Sequence, residues 1–271
     1  MKQVFVYAKQ VFAYKYAGLL ALTLLLITHL ASGFTTVSAT VYRSPQELMS
    51  DFFNGPGRLL VPLVVAIIAE PSTTALIRER FIASTRTRID IRFFLANFML
   101  RRCMYGGALF FIFGLILAAT GYWIAPALFP ESIDPEGYAL YSEEAVMEDS
   151  IQMAPLTGAL HISPIWFVTV VALWNALAGV TFTLITILAA LFLSNSLLVI
   201  VAPFLWYMGT STALQIANLP ALSFTITTPY PYGLIDFQLW AALTPVLVTA
   251  TASAVFAAVV VWRSRHLSRL S

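Results

Sequence analysis

Hydrophobic residues dominate six long stretches of the chain, which shorter polar segments separate. A helix needs about 20 mostly apolar residues to cross the hydrocarbon core of a bilayer. In lipid, every backbone N–H and C=O must find a partner within the protein, and an α-helix provides these partners within one segment. The pattern therefore predicts an all-α integral membrane protein in which residues 1–271 form a single transmembrane domain. The six predicted spans are residues 17–34, 58–77, 103–127, 164–193, 196–214 and 239–262.

The composition excludes a soluble enzyme with a large catalytic domain. Hydrophobic residues make up 59% of the chain and charged residues only 10%, whereas a soluble domain carries about 25% charged residues. So few charges cannot cover a water-facing surface of this size. The single cysteine, Cys103, excludes an intrachain disulfide.

The positions of the basic residues predict the orientation of the chain in the membrane. If both termini are cytoplasmic, every lysine and arginine except Arg43 and Arg58 lies in a cytoplasmic segment, as the positive-inside rule requires. The acidic residues have the opposite distribution, because seven of them fall in one outer loop, 129–163. We therefore expect six spans in the cell membrane, with both termini cytoplasmic. The seven acids are Glu131, Asp134, Glu136, Glu143, Glu144, Glu148 and Asp149.

The segment before the first span mixes aromatic rings with lysines. Five rings alternate with Lys2, Lys9 and Lys15 within residues 1–16, a pattern typical of a helix that lies in the membrane interface. We predict an interfacial N-terminal helix here. A plain extension of the first span is the alternative.

The cytoplasmic loop between the second and third spans, 78–102, is much longer than a helix turn requires. Its apolar positions, such as Phe81 and Ile82, can line one face of a helix whose other faces carry arginine and glutamate. On charge pattern alone, the loop is either a basic connector that sets topology or a docking helix for a cytoplasmic partner.

The layout of the whole chain resembles the permease subunits of ABC-2 type exporters. The resemblance consists of six spans, a Glu-containing and arginine-rich loop that leads by a helix into the third span, and an Asn at the turn before the fifth span with a Pro inside that span. It implies an amphipathic coupling helix that docks on a cytoplasmic ATP-binding subunit. The residues it assigns to this docking are Arg78, Glu79, Arg80, Phe81, Ile82, Arg86 and Arg88.

The resemblance also implies the partners. Such a permease pairs with a second one, identical or related, and with two ATP-binding subunits, so that cargo passes between the paired permeases. This chain has no Gly-x-x-x-x-Gly-Lys-Ser/Thr loop to cradle nucleotide phosphates. We therefore expect no enzyme activity and no cofactor in this chain, with ATP and Mg²⁺ bound by the partner subunit, and no nucleic-acid partner.

Few polar residues within the spans are candidates for chemistry. Glu70 is an intramembrane carboxylate followed by Pro71, and such a group is a functional candidate by default. It can instead pair with a cytoplasmic arginine or cap a helix broken at Pro71. We expect His29 to be a satisfied structural side chain and Asn175 to join helices. No catalytic or metal-binding pattern is present in the sequence.

Two outer segments are ambiguous from sequence. The acidic loop 129–163 is a solvated cap or a surface that recruits cationic molecules. The stretch 215–238 carries three prolines among apolar residues, which favours a short re-entrant or interfacial hairpin packed against protein.

Three functions fit the sequence. The leading one is an exporter permease for an amphipathic cargo such as a drug, a peptide or a lipid-like molecule, since the spans carry almost no charge. A polysaccharide-exporting permease of the same class is the second. The third is a non-transporting membrane scaffold or immunity protein that binds a partner through the arginine-rich loop.

Overall fold

The computed structural model describes residues 2–78, 91–193, 195–231 and 239–267, and the described residues fold into helices with no strand. We number the eight principal helices in chain order. They are α1 (Lys2–Val37), α2 (Pro45–Asn54), α3 (Val61–Arg78), α4 (Ile91–Ala119), α5 (Glu143–Met153), α6 (Pro164–Phe192), α7 (Ser196–Ile216) and α8 (Leu239–Leu267).

Five helical segments are long and apolar enough to cross a membrane. They are Tyr16–Val37, Phe93–Leu128, Pro164–Phe192, Ser196–Ile216 and Leu243–Arg263. A sixth crossing is present if Pro45–Asn54 and Pro56–Glu70, which meet at a bend of 47°, count as one broken span. The chain is therefore a multi-pass membrane protein by the length and composition of its helices, with five or six candidate spans.

The structure corrects two of the predicted boundaries. α1 is one continuous helix from Lys2, so the predicted interfacial N-terminal helix is not a separate element. No glycine or proline occurs before Gly18, and nothing in the sequence interrupts the helix there. Similarly, α4 begins at Ile91, within the predicted loop 78–102. The helix that we predicted to lead into the third span is therefore the first part of that span.

The predicted docking segment lies mostly outside the described residues. Arg78 is the last residue of α3, whereas Glu79, Arg80, Phe81, Ile82, Arg86 and Arg88 fall in the undescribed segment 79–90.

The closest packing in the bundle joins α4 to α6 through small residues. A Cβ added at Gly179 of α6 would lie 2.9 Å from the carbonyl oxygen of Gly106 and 2.8 Å from the Cβ of Phe110 on α4. Four residues further along α4, a Cβ at Gly114 would lie 2.8 Å from the Cβ of Asn175. Glycine therefore allows the two backbones to approach closely, as is common between membrane helices. At this contact, the residue numbers decrease along α6 where they increase along α4. The two helices are therefore antiparallel.

We predict that Gly179→Ala destabilises the protein. The added methyl group meets a backbone oxygen and a Cβ atom, neither of which can rotate away, and overpacking of this kind costs about 1–3 kcal/mol. Thermal unfolding of the purified protein in detergent is the measurement, and the midpoint of the variant should fall.

Gly209→Ala is the matched control, because Gly209 lies in α7 and a Cβ there meets no atom within 4 Å. Alanine has the better helix propensity by about 1 kcal/mol, so this variant should unfold at the same temperature as the wild type or slightly higher. Equal midpoints for the two variants would contradict the close α4–α6 contact.

Candidate functional site

The chain between α7 and α8 folds back into the bundle instead of leaving it. It forms one helical turn, Phe224–Thr227, and then an irregular stretch, 228–231. Ser223, Phe224, Thr227, Thr228 and Tyr230 are all buried. We call residues 223–231 the buried segment. It agrees with the predicted irregular, protein-packed connection, of which residues 232–238 lie outside the described part.

Two neighbouring side chains of α6 hold the backbone of the buried segment. The indole Nε1 of Trp174 donates a hydrogen bond to the carbonyl of Thr227 at 2.9 Å, and the amide Nδ2 of Asn175 donates to the carbonyl of Pro229 at 3.2 Å. Asn175 also donates to the carbonyl of Val171 in its own helix. A buried carbonyl without a donor is costly, so these bonds allow irregular backbone to lie inside an apolar bundle. Asn175 lies at the contact of α6 with α4, as predicted, and its amide in addition supports the connection.

Aromatic rings surround the buried segment and join it to α2. The Tyr230 ring lies 5.6 Å from the ring of Phe53 at the end of α2, and 6.5 Å from that of Phe167 on α6. On the other side, the rings of Tyr207 on α7 and Phe224 are 6.1 Å apart. The two irregular parts of the chain, the turn after α2 and the buried segment, thus meet in one buried cluster.

Arg58 lies at the edge of this cluster. It occupies the short turn Pro56–Leu60 between Phe53 and Val61, which both belong to the same buried cluster as Tyr207. Its side chain is partly buried. On α7, the Tyr207 hydroxyl is buried and has no hydrogen-bond partner among the residues that the structure describes.

Sequence reasoning did not treat Arg58 as a site residue, because it counted Arg58 only as a base outside the membrane. Its position at the first residue of the apolar stretch 58–77 was the available signal, since an ionisable residue at a span is a functional candidate.

Glu70, the other sequence candidate, is buried within the bundle at 6% exposure. Ile68 of α3 packs against Gly18 of α1, where an added Cβ would lie 3.2 Å from it. Glu70 follows Ile68 by two residues, which is a rotation of about 200° around the helix axis. The Glu70 side chain therefore points away from α1. α3 continues through Pro71 to Arg78, so Glu70 does not cap a helix broken at that proline, which rules out one of its two structural roles.

His29 agrees only in part with the predicted satisfied side chain, because its Nε2 is buried without a hydrogen-bond partner among the described residues. It is buried, and its Nδ1 donates to the carbonyl of Phe52 at 2.8 Å. Its ring packs edge-to-face on Phe113 at 5.5 Å. The histidine thereby ties α1 to the end of α2.

We call the end of the bundle where residues 129–163 lie the acidic end. There, the side chain of Arg43 contacts three others. Its guanidinium is 3.2 Å from Glu47 and 3.3 Å from Asp149, and it lies 5.0 Å above the ring of Tyr138. Arg43 lies in the connection between α1 and α2. Its ion pair with Asp149 therefore links this connection to the acidic loop 129–163. Within the described ranges, no group of three or more His, Cys, Asp or Glu side chains could hold a metal ion.

Tyr42 adds a second link at the acidic end. Its backbone N–H donates to Ser132 at 2.7 Å and its carbonyl accepts from Asp134 at 2.9 Å. Its hydroxyl donates to Asp51 at 2.5 Å. Burial and the hydrogen bond to Asp51 raise the pKa of the Tyr42 phenol well above its usual range. The phenol therefore remains a donor throughout the physiological pH range.

Comparisons of the chain with protein-family models, with curated proteins and with solved structures found no match.

We predict that Trp174→Phe loosens the buried segment. The substitution keeps an aromatic ring but removes the donor to the Thr227 carbonyl, and a buried acceptor without a partner costs about 1–3 kcal/mol. Hydrogen exchange at the amides of Ile226, Thr227 and Thr228 should become faster. Trp123→Phe, at an exposed position on the extension of α4, is the control and should leave these rates unchanged. Unchanged exchange in Trp174→Phe would show that the bond does not hold the segment.

Proposed function

We propose that this chain is the transmembrane permease subunit of an ATP-driven ABC-2 type exporter. Two such subunits, identical or related, move an amphipathic cargo between them. The observation that carries the proposal is the arginine-rich segment 78–102 between two apolar helices, which places a charged surface for a partner beside the spans. ATP hydrolysis occurs on separate cytoplasmic subunits, because this chain has no phosphate-binding loop in its sequence.

The fold supports this proposal in two respects. α4 begins at Ile91, directly after the proposed docking segment, so movement of that segment reaches the third span through one rigid helix. α6, the partner of α4 in the glycine contact, also holds the buried segment through Trp174 and Asn175. Force applied at 79–90 can therefore reach the interior of the bundle through two packed helices.

We propose six crossings, with the bent pair α2 and α3 counted as one broken span and both termini in the cytoplasm. The charge distribution supports this orientation. Only an even number of crossings places the lysines at the N-terminus and the arginines at the C-terminus on the same side of the membrane.

Reporter fusions test the topology. Green fluorescent protein fluoresces when it folds in the cytoplasm, and alkaline phosphatase is active only outside it. We expect fluorescent fusions at both termini and an active phosphatase inserted after Tyr141, which is 80% exposed in the acidic loop. A fluorescent fusion at one terminus and a dark fusion at the other would mean five crossings and would contradict the proposal.

Co-purification from the native membrane tests the docking segment. An ATP-binding subunit should co-purify with the tagged chain, and Glu79→Ala or Phe81→Ala should reduce its recovery more than about tenfold, since truncation of a central interface residue costs ~2 kcal/mol or more. Glu144→Ala and Tyr141→Ala remove the same kinds of group from exposed positions at the acidic end and should leave recovery unchanged. Failure to recover any ATP-binding subunit with the wild type would favour the scaffold function.

A further inference from the structure

The segment 130–153 at the acidic end has little apolar surface buried against the rest of the protein. The structure describes all of its residues, and of these Ser132 and Ser150 alone are buried. Two partly buried apolar side chains, Ile133 and Met147, pack against the hydrophobic clusters of the bundle. A segment with so few buried apolar contacts opens at a lower free energy than the core around it.

Polar contacts with the connection between α1 and α2 hold this segment in place. The backbone of Tyr42 accepts one hydrogen bond from Asp134 at 2.9 Å and donates one to Ser132 at 2.7 Å. The carbonyl of the preceding residue, Val41, accepts a hydrogen bond of 2.9 Å from the Tyr138 hydroxyl. We call residues 41–43 the clasp. Its contacts reach well-separated parts of the segment from one short stretch of chain.

Arg43 supplies the charge of the clasp. Its guanidinium lies 3.3 Å from Asp149 on α5 and 5.0 Å above the ring of Tyr138, while Glu47 of α2 holds it at 3.2 Å. Residues 129–163 contain seven acids and neither a lysine nor an arginine, so the charges of this loop repel one another. Arg43 offsets that repulsion where α5 meets the bundle.

The two ends of the segment are suited to act as hinges. Phe129 and Ala154 have non-helical backbone, and each is followed by a proline that begins a new short helix. Hinges are commonly a few residues of this kind at the ends of elements. The Thr157 hydroxyl donates to the carbonyl of Ser150 at 2.8 Å. This bond lies beside the second end, where a rotation displaces atoms least.

We propose that residues 130–153 form a lid over the acidic end of the bundle and that the clasp holds this lid closed. When the bonds to the clasp break, the lid opens as one unit about Phe129 and Ala154, and the helices beneath it stay folded. The lid rests on contacts within this chain and is independent of the proposed export function.

Hydrogen exchange of the full chain in nanodiscs tests the lid. Arg43→Gln removes the ion pair with Asp149 and keeps a polar side chain. Exchange at the amides of Asp134 and of α5 should accelerate together by at least about tenfold, because a hydrogen bond between charged groups is worth a factor of that size. The amides of α6 should keep their wild-type rates. Arg43→Lys, which keeps the charge, should lie between the wild type and Arg43→Gln.

Asp149→Asn and Glu148→Gln are a matched pair, since each removes one negative charge from adjacent positions of α5. Asp149 pairs with Arg43, whereas Glu148 is exposed. Asp149→Asn should accelerate exchange of the lid as Arg43→Gln does. Glu148→Gln should exchange at the wild-type rate or more slowly, because it only reduces the repulsion among the acids.

Three results would overturn the proposal. Unchanged exchange in Arg43→Gln, or equal acceleration in the two acid variants, would show that the clasp does not hold the lid. Acceleration at Asp134 without α5 would show that residues 130–153 do not move as one unit. Equal acceleration in α6 would show that the whole bundle loosens. Because the assay uses this chain alone, its result does not depend on whether an ATP-binding subunit co-purifies.

Discussion

The glycines between α4 and α6 impose the constraint on which the rest of the structure depends. With Gly106, Gly114 and Gly179 at the contact, two long helices pack backbone against backbone. Without a hydrophobic driving force between helices in lipid, such close van der Waals contact is a main source of association. The contact also fixes the rotation of α6, and therefore the direction in which Trp174 and Asn175 project.

That rotation explains why the interior can accommodate irregular backbone. Trp174 and Asn175 present two donors to the carbonyls of Thr227 and Pro229, which would otherwise be buried without partners. The buried segment then supplies the rings that meet Phe53 from α2. Two breaks in regular helix structure are thus concentrated at one place in the bundle.

The apolar pattern predicted most of the fold, because each span is a local property of about 20 consecutive residues. Four of the predicted stretches match the structure to within a few residues. The third begins earlier because Arg92, Arg101 and Arg102 were assigned to a loop, although a run without glycine or proline continues the helix through them. The second is divided between α2 and α3 at Gly55–Pro56, a turn signal that the predicted span, which begins at Arg58, left outside the helix.

The candidate site could be predicted only in part. Glu70 was visible as an isolated carboxylate in an apolar stretch, and its burial agrees with that reading. The contact of Asn175 with Pro229 joins residues far apart in the chain and depends on how the helices pack. No pattern within a short stretch of sequence predicts contacts of this kind. The ion pair of Arg43 with Asp149 was hidden for the same reason, since Asp149 lies in a different connection.

The ATPase activity of the native complex tests the central claim most directly. The complex is purified from its own membrane through a tag on this chain, placed in nanodiscs and assayed with and without an amphipathic molecule such as dodecanoic acid. An exporter permease for amphipathic cargo predicts ATP hydrolysis that such a molecule stimulates. A purified native complex that hydrolyses no ATP under either condition would contradict the account.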